Sequence, residues 1–197
     1  MKIIDFDGTL VDVWPRYYAV FSELTKSNVG LERYRQVKRI CEKDSIVAQN
    51  LGVELPDDYF ENKRILLEEK EFLELDKLWI DVEEILSFFR KEDIILTKRR
   101  RKDNFFWELD RLGLYDLISQ SYVIQSSKEE YVRKYYCEYE KIVLGDSTQD
   151  LEMGRVPRTR CIMLGCGLFA PARFEQTNMK YDYYNTLSEA IRSEHLT

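Results

Sequence analysis

The sequence predicts an α/β fold built on a parallel sheet, with a helical insertion after the first strand. Three observations carry that prediction. Short apolar runs alternate with helical stripes through the second half of the chain. Residues 13–80 show helical periodicity and no strand pattern. The chain, 197 residues with 44% hydrophobic side chains, suits one domain carrying a modest insertion.

Taken in order, Lys2 to Phe6 (KIIDF) reads as a short buried strand. The insertion follows. Pro15 fits a helix start, with Tyr17, Val20, Phe21 and Leu24 on one face. A second helix carries Tyr34, Val37 and Cys41, a third runs from Ser45 to Leu51 before Gly52, and a fourth follows Pro56 with Tyr59, Phe60, Leu66 and Leu67. Asp81 is placed to cap Val82 to Lys91, whose Val82, Ile85, Leu86 and Phe89 form one stripe. Asp93 to Thr97 (DIILT) is the second strand. Asp103 is placed to cap a helix through Phe105, Leu109 and Leu112, with Gly113 as its C′ residue. Tyr122 to Gln125, Lys141 to Gly145 and Cys161 to Leu164 are three further strands. Thr186 and Glu189 have capping-box spacing before Ala190 and Ile191. The division expected is a core of residues 1–12 and 81–197, with 13–80 inserted.

Composition excludes several classes. Charged residues make up 34% of the chain, against about 25% in an average globular protein, and the formal charge is −6. That balance argues against general affinity for nucleic acid or acidic membranes. No apolar run reaches the roughly 18 residues of a membrane span. MKIIDFDGT lacks a signal-peptide pattern, and the 4 cysteines contain no CxxC pair, so a reduced, cytoplasmic protein is expected. The single histidine is His195, in a terminal segment expected to fray. A Ser-His-Asp or Cys-His triad and a His-rich zinc site are thereby set aside, leaving carboxylates, Lys, hydroxyls and a hard metal.

The most informative segment is Asp5-Phe6-Asp7-Gly8-Thr9-Leu10-Val11-Asp12. Side chains two apart in a strand share a face, so Asp5 and Asp7 converge where the strand ends. Gly8 lets the backbone turn and approach a ligand closely. Two carboxylates so near each other need a cation or a shared proton. The pattern D-x-D-G-T arises by chance about once in 10⁵ windows. Gly145-Asp146-Ser147-Thr148-Gln149-Asp150 is the second signal, directly after IVLG. Asp146 and Asp150 can share one face of a helix's first turn, although Asp146 or Ser147 as a plain helix cap explains the segment equally well. Parallel strands gather their functional loops at their C-terminal ends, where these carboxylates would make an oxygen-rich site for Mg²⁺. Thr97 ends its strand at the same edge, and Lys128 opens the helix after the third strand.

The ordered set DxDGT, hhhT, Lys, GDxxxD resembles the haloacid dehalogenase (HAD) superfamily, and most of all its phosphoglycolate-phosphatase-like branch with a helical cap after the first motif. The resemblance implies a Rossmann-like parallel-sheet core with 13–80 as cap, and a Mg²⁺-dependent phosphatase acting on a small phosphorylated metabolite through an aspartyl-phosphate. By the same resemblance Asp5 would be nucleophile and metal ligand. Asp7 would be general acid and then base, with its backbone carbonyl on the metal. Thr97 would bind the transferring phosphoryl group, with Phe6, Gly8 and Lys98 also at the phosphate, and Lys128 would balance charge beside Asp5. Asp146 would be a further Mg²⁺ ligand, and Asp150 would act through a metal-bound water or by positioning Lys128. Dehalogenases of this fold lack the second Asp, so Asp7 favours phosphate chemistry. A phosphomutase or phosphotransferase uses the same residues, a phospho-acceptor domain shares part of the set, and a catalytically silent HAD-like binding protein is a further alternative. Two departures stand out: Glu129 follows Lys128 where many relatives have Pro, and the Lys128–Asp146 interval is short, which leaves Lys134 as an alternative charge-balancing lysine.

Three other features carry less. Lys98-Arg99-Arg100-Arg101-Lys102 reads either as a solvated loop or as positive potential at the mouth of an anion site. Arg33, Arg35, Lys38, Arg39 and Lys43 crowd one segment of the insertion, where one or two could meet substrate. Gly165-Cys166-Gly167-Leu168-Phe169-Ala170 matches G-x-G-x-x-A, but no following βαβ unit fits in the remaining chain, so it reads as a loop bordering the catalytic face.

Overall fold

The computed structural model describes residues 1–41 and 43–194; the expectation for His195 falls outside them. Strand β1 (Lys2–Ile4) is followed by the short β2 (Val11–Asp12) and then by helices α1 (Trp14–Thr25), α2 (Leu31–Ile40), α3 (Asp44–Leu51), α4 (Tyr59–Leu66) and α5 (Lys70–Leu73). Strand β3 (Lys77–Leu78) returns the chain to α6 (Val82–Phe88), β4 (Ile94–Thr97), α7 (Lys102–Arg111) and β5 (Ser121–Val123). The remainder alternates as α8 (Lys128–Tyr136), β6 (Lys141–Gly145), α9 (Thr148–Glu152), β7 (Thr159–Leu164), α10 (Pro171–Glu175), β8 (Asp182–Tyr184) and α11 (Leu187–Glu194). No helix among the described residues is long and apolar enough to cross a membrane.

Six strands form one parallel sheet in the order β5-β4-β1-β6-β7-β8. Alternation along the strands feeds two cores. Ile4, Ile95, Leu144 and Ile162 face one side, whereas Ile3, Leu96, Val143 and Met163 face the other. Each such buried aliphatic side chain contributes about 1.5–3 kcal/mol. The chain moves from β1 to β4 and β5 on one side, then crosses back to β6 on the other. The order therefore reverses between β1 and β6, and a crevice opens outside their carboxyl ends. The Asp5 N–H donates to the Leu144 carbonyl at 2.9 Å, which holds the first acidic residue level with β6.

Helices α1–α5 enclose a separate apolar cluster of Trp14, Phe21, Tyr34, Val37, Val47 and Tyr59. They leave and rejoin the sheet through β2 and β3, which pair antiparallel. Strand β3 corrects the expectation of no strand within 13–80: a two-residue strand has no periodicity to detect. Strand β8 was likewise not foreseen, being three half-buried residues, DYY. Asp103 lies inside the first turn of α7 rather than capping it; Arg101 precedes the helix, while Gly113 takes the left-handed conformation expected of it, φ 77°. Asp81 precedes α6 without a side-chain cap bond. Thr186 does accept the Glu189 N–H at 3.2 Å.

Candidate active site at the carboxyl edge of the sheet

Asp5 follows β1 directly, Asp146 follows β6, and Asp150 lies one turn into α9. The three carboxylates are buried and each offers an oxygen within 4.8 Å of the others. Glycines make this approach possible. A Cβ on Gly8 would fall 2.3 Å from Asp146 Oδ2, and one on Gly167 would fall 2.1 Å from the same atom. Gly8 also takes φ 79°, a conformation that side chains resist. The G-x-G-x-x-A segment thus borders the site as expected, and the Leu168 N–H donates to Asp146 Oδ2 at 2.6 Å.

Among the described residues, Lys128 supplies the one cation in contact with this cluster. Its Nζ stands 2.6 Å from Asp5 Oδ1 and 2.6 Å from Asp150 Oδ1. A capping box positions it: Ser127 Oγ accepts the Glu130 N–H at 3.1 Å and the Glu130 carboxylate accepts the Ser127 N–H. The short Lys128–Asp146 interval reflects a nine-residue α8. Lys134 lies elsewhere, over the Tyr135 ring at 5.0 Å. Asp150 is fully engaged, with Oδ1 on Lys128 and Oδ2 accepting the Ser147 hydroxyl at 2.6 Å and the Ser147 N–H at 3.0 Å. Its geometry is that of a residue that positions Lys128.

Burial dominates the electrostatics of the cluster. It raises the Asp5 carboxyl well above its ordinary value, and the nearby Asp150 charge adds to this against the pull of Lys128. Burial and Asp150 also push Asp146 up to about 7. For Lys128 burial acts downward, but Asp150 and Asp5 outweigh it and hold the ammonium charged. Three carboxylates facing one ammonium leave excess negative charge, and an oxygen-only donor set suits a hard divalent cation.

Asp7 faces away from this cluster. Its carboxylate accepts from Arg99 Nε at 2.8 Å and Arg99 Nη2 at 2.6 Å, and it also pairs with Arg16. Burial opposes ionisation, yet Arg99 and Arg16 prevail and hold Asp7 well below the usual carboxylate range. The protonated Asp7 expected of a general acid is therefore not the form this arrangement favours. Its side chain also stands outside the metal-competent acidic group, which leaves only its backbone carbonyl for the expected ligand role. Behind the two arginines lie Asp76 and Glu108, both fully buried: Arg16 Nε is 3.2 Å from Asp76 Oδ2, and Arg99 Nη1 is 2.7 Å from Glu108 Oε2.

The residues expected at the phosphate divide. Thr97 is buried at the end of β4, and Lys98 is exposed beside it. The Phe6 N–H donates to Asp5 Oδ1 at 2.8 Å. The Gly8 N–H is engaged by the Val11 carbonyl at 2.9 Å, so it is turned into the loop rather than toward a phosphate. A cleft of about 390 Å³ lies over Asp7, with Arg16, Arg64, Lys98, Arg99 and Gln149 in its wall. A larger cavity of about 720 Å³ sits at the opposite, amino edge of the sheet by Lys2 and Lys141; it holds none of the clustered carboxylates, and chemistry rather than size locates the site.

In the basic run 98–102 Arg99 is buried, whereas Lys98, Arg100, Arg101 and Lys102 are exposed, as in a solvated loop tethered at a few points. Arg100 and Arg101 donate backbone N–H groups to the Glu68 carboxylate, the former at 2.9 Å, and Arg101 pairs with Glu69 at 2.7 Å. Within 33–43, Lys38 is buried on Asp44 at 2.7 Å, and Arg39 donates to the Gly165 carbonyl at 2.7 Å. The insertion's cations in the cleft are instead Arg16 and Arg64. Sequence reasoning passed over Arg16, Asp76 and Glu108, and saw Arg99 only as part of a run. A signal existed for two of them. Glu108 falls on the stripe Phe105–Leu109–Leu112, and Arg16 on the stripe Val20–Phe21–Leu24, each a charge where an apolar residue belongs.

No protein-family model matches the chain, and no curated protein matches it. Solved structures do. A haloacid dehalogenase-like family hydrolase from Streptococcus pneumoniae superposes with TM-score 0.70 at 14% identity, covering 97% of this chain and 96% of that one. A predicted phosphoglycolate phosphatase from Haemophilus somnus gives TM-score 0.67 at 15% identity, covering 98% and 97%. A HAD family hydrolase from Deinococcus radiodurans, solved with bound phosphate and sodium, gives 0.69 at 12% identity, covering 99% and 95%. The chain has the fold of the HAD-like hydrolases.

Proposed function

We propose that the protein is a Mg²⁺-dependent phosphatase of a small organic phosphomonoester, with 13–80 serving as a cap over the core. The observation that carries this reading is Lys128 Nζ at 2.6 Å from both Asp5 and Asp150, with Asp146 completing the acidic group at a sheet switch point. Asp5 and Asp146 would hold the cation, which when bound neutralises charge at the nucleophile and the phosphoryl oxygens.

Asp5 attacks phosphorus with a carboxylate oxygen, the P–O bond to the alcohol breaks, and the alkoxide leaves with a proton. Water then attacks the aspartyl-phosphate phosphorus, releasing inorganic phosphate and restoring the Asp5 carboxylate. Lys128 screens the repulsion between Asp5 and the phosphate dianion. Asp7, held as a carboxylate, is in the form that accepts a proton from the attacking water. It reaches the acid form needed for the leaving group only when Arg16 and Arg99 release it. The positive wall of the cleft favours anionic substrates.

The test is phosphate release from a panel of small phosphate esters with and without Mg²⁺, in wild type and Asp5→Asn. Mg²⁺-dependent release lowered ~10⁴-fold or more in the variant is expected. Release unaffected by Asp5→Asn overturns the mechanism, and an isomerised ester in place of free phosphate would make the protein a mutase.

A further inference from the structure

The network behind Asp7 has a charge count that does not close. Asp7, Asp76 and Glu108 are three carboxyls, whereas Arg16 and Arg99 are two guanidiniums. The chain of contacts runs Asp76–Arg16–Asp7–Arg99–Glu108, and Asp76 meets Glu108 to complete a ring. Water is largely excluded: side-chain exposure is 0% at Asp76 and Glu108, 3% at Arg16 and 4% at Arg99. Phe6 and Phe105 wall the Arg99 guanidinium at 5.5 and 5.7 Å, and the Tyr17 ring lies 5.6 Å from that of Arg16. An unbalanced charge in such surroundings is costly.

Hydrogen bonding points to the remedy. No group of the described protein makes a well-aligned hydrogen bond to any of the four carboxyl oxygens of Asp76 and Glu108. Two ionised carboxylates cannot bond to each other, because neither has a donor. A single proton between them supplies the donor and brings the ring to neutrality.

We propose that Asp76 and Glu108 share one buried proton, and that this protonated pair is the positioning device that keeps Arg16 and Arg99 on Asp7. The positioning role rests on the reading of Asp7 given above; the shared proton does not. Burial, with the Glu108 charge working against the pull of Arg16, pushes Asp76 up to about 9. The other ionisable groups facing the pair are Asp7 from the loop after β1, Arg16 and Tyr17 from α1, Arg99 after β4 and Arg111 on α7, whose guanidinium donates to the Asp76 carbonyl at 3.0 Å. The third carboxyl would otherwise compete with Asp7 for the same guanidiniums.

The ring predicts an unusual mutational pattern. Asp76→Asn replaces the shared proton with an amide donor, and Glu108→Gln lets Asp76 ionise against Arg16. Either change keeps the ring neutral, but the double change leaves one guanidinium unbalanced. Because the folded state holds a proton that an unfolded Asp, ordinarily titrating at 3.8, has lost, the wild type's stability falls relative to Asp76→Asn as pH rises from about 4 to about 9.

The experiment measures thermal unfolding of wild type, both single variants and the double variant from pH 5 to pH 9, with infrared spectra at pH 7. Expected are a Tm gap between Asp76→Asn and wild type that widens with pH, a double variant worse than the sum of the singles, and a protonated-carboxyl band lost in each single variant. A pH-independent gap, additive losses, a band unchanged by both substitutions, or failure of either single variant to fold overturns the shared proton. The positioning role is read from turnover: the alkaline limb of the kcat profile moves to higher pH in Asp76→Asn, and a limb that stays in place overturns it. Absence of turnover in wild type would defeat the phosphatase reading and leave the infrared and unfolding results to decide the proton.

Discussion

Asp5 and Asp7 are two residues apart on one loop, yet their carboxyls are driven in opposite directions. Asp5 sits among carboxylates with one ammonium, and burial with the neighbouring Asp150 raises it. Asp7 sits between two guanidiniums, which lower it despite burial. Strand alternation would put positions two apart on one face, but β1 ends at Ile4, and the loop that follows sends one side chain to the core's acidic crevice and the other to the basic cleft beneath the helices. For the first step of the reaction proposed above these affinities run the wrong way, since Asp5 must be ionised to attack and Asp7 protonated to release the alcohol; a cation beside Asp5 and release of Asp7 by its arginines would reverse them. The cations in contact differ on the two sides: Lys128 at Asp5, Arg99 and Arg16 at Asp7.

Removing those neighbours tests the contrast. Lys128→Met, which leaves three buried carboxylates without their ammonium, is expected to lower phosphate release ~10³-fold. Release within tenfold of wild type would mean that Asp5 does not depend on Lys128. Arg99→Met leaves Glu108 without its ion-pair partner and Asp7 with Arg16 alone, and breaking a buried pair costs about 3–5 kcal/mol; urea unfolding reads this directly, and a loss under 1 kcal/mol would place the Asp7 side on Arg16 instead. The smallest effect is a pH dependence confined to the Asp5 side. Asp146, pushed up to about 7, must be ionised to hold a cation. Mg²⁺ affinity measured by calorimetry should therefore weaken at least tenfold per pH unit below 7, with proton release on binding at pH 6. A flat affinity from pH 5 to 8 would remove Asp146 from the cation site.

Local chemistry was legible in the sequence where it was written in consecutive residues. KIVLG, an apolar run closed by Gly145, gave β6 its observed bounds, and DxDGT with GDxxxD marked the carboxylates that the sheet brings together. What the sequence hid was set by pairing across long separations. Strands β2 and β3 are too short to show a period, and their existence depends on each other. The Asp7 clamp joins residues from α1, the loop after β4, α7 and the segment before β3. Only the misplaced charges on two apolar stripes hinted at it. Spacing placed Asp7 beside Asp5 but could not say that its carboxylate meets arginines rather than a metal.

The pairing of Val11 with Leu78 and of Asp12 with Lys77 has a consequence for the molecule's architecture. The Trp79 N–H reinforces it by donating to the Leu10 carbonyl at 3.1 Å. The path leaving the sheet and the path returning to it are thus fastened side by side, about 5 Å apart, as paired strands are. The five intervening helices hang from that fastening like a pendant from a clasp. Length added or lost at the far end of the helices need not alter the spacing that the sheet sees, so the core can keep its carboxylates in register as long as the contacts of Arg16 with Asp7 and of Arg39 with the Gly165 carbonyl are kept.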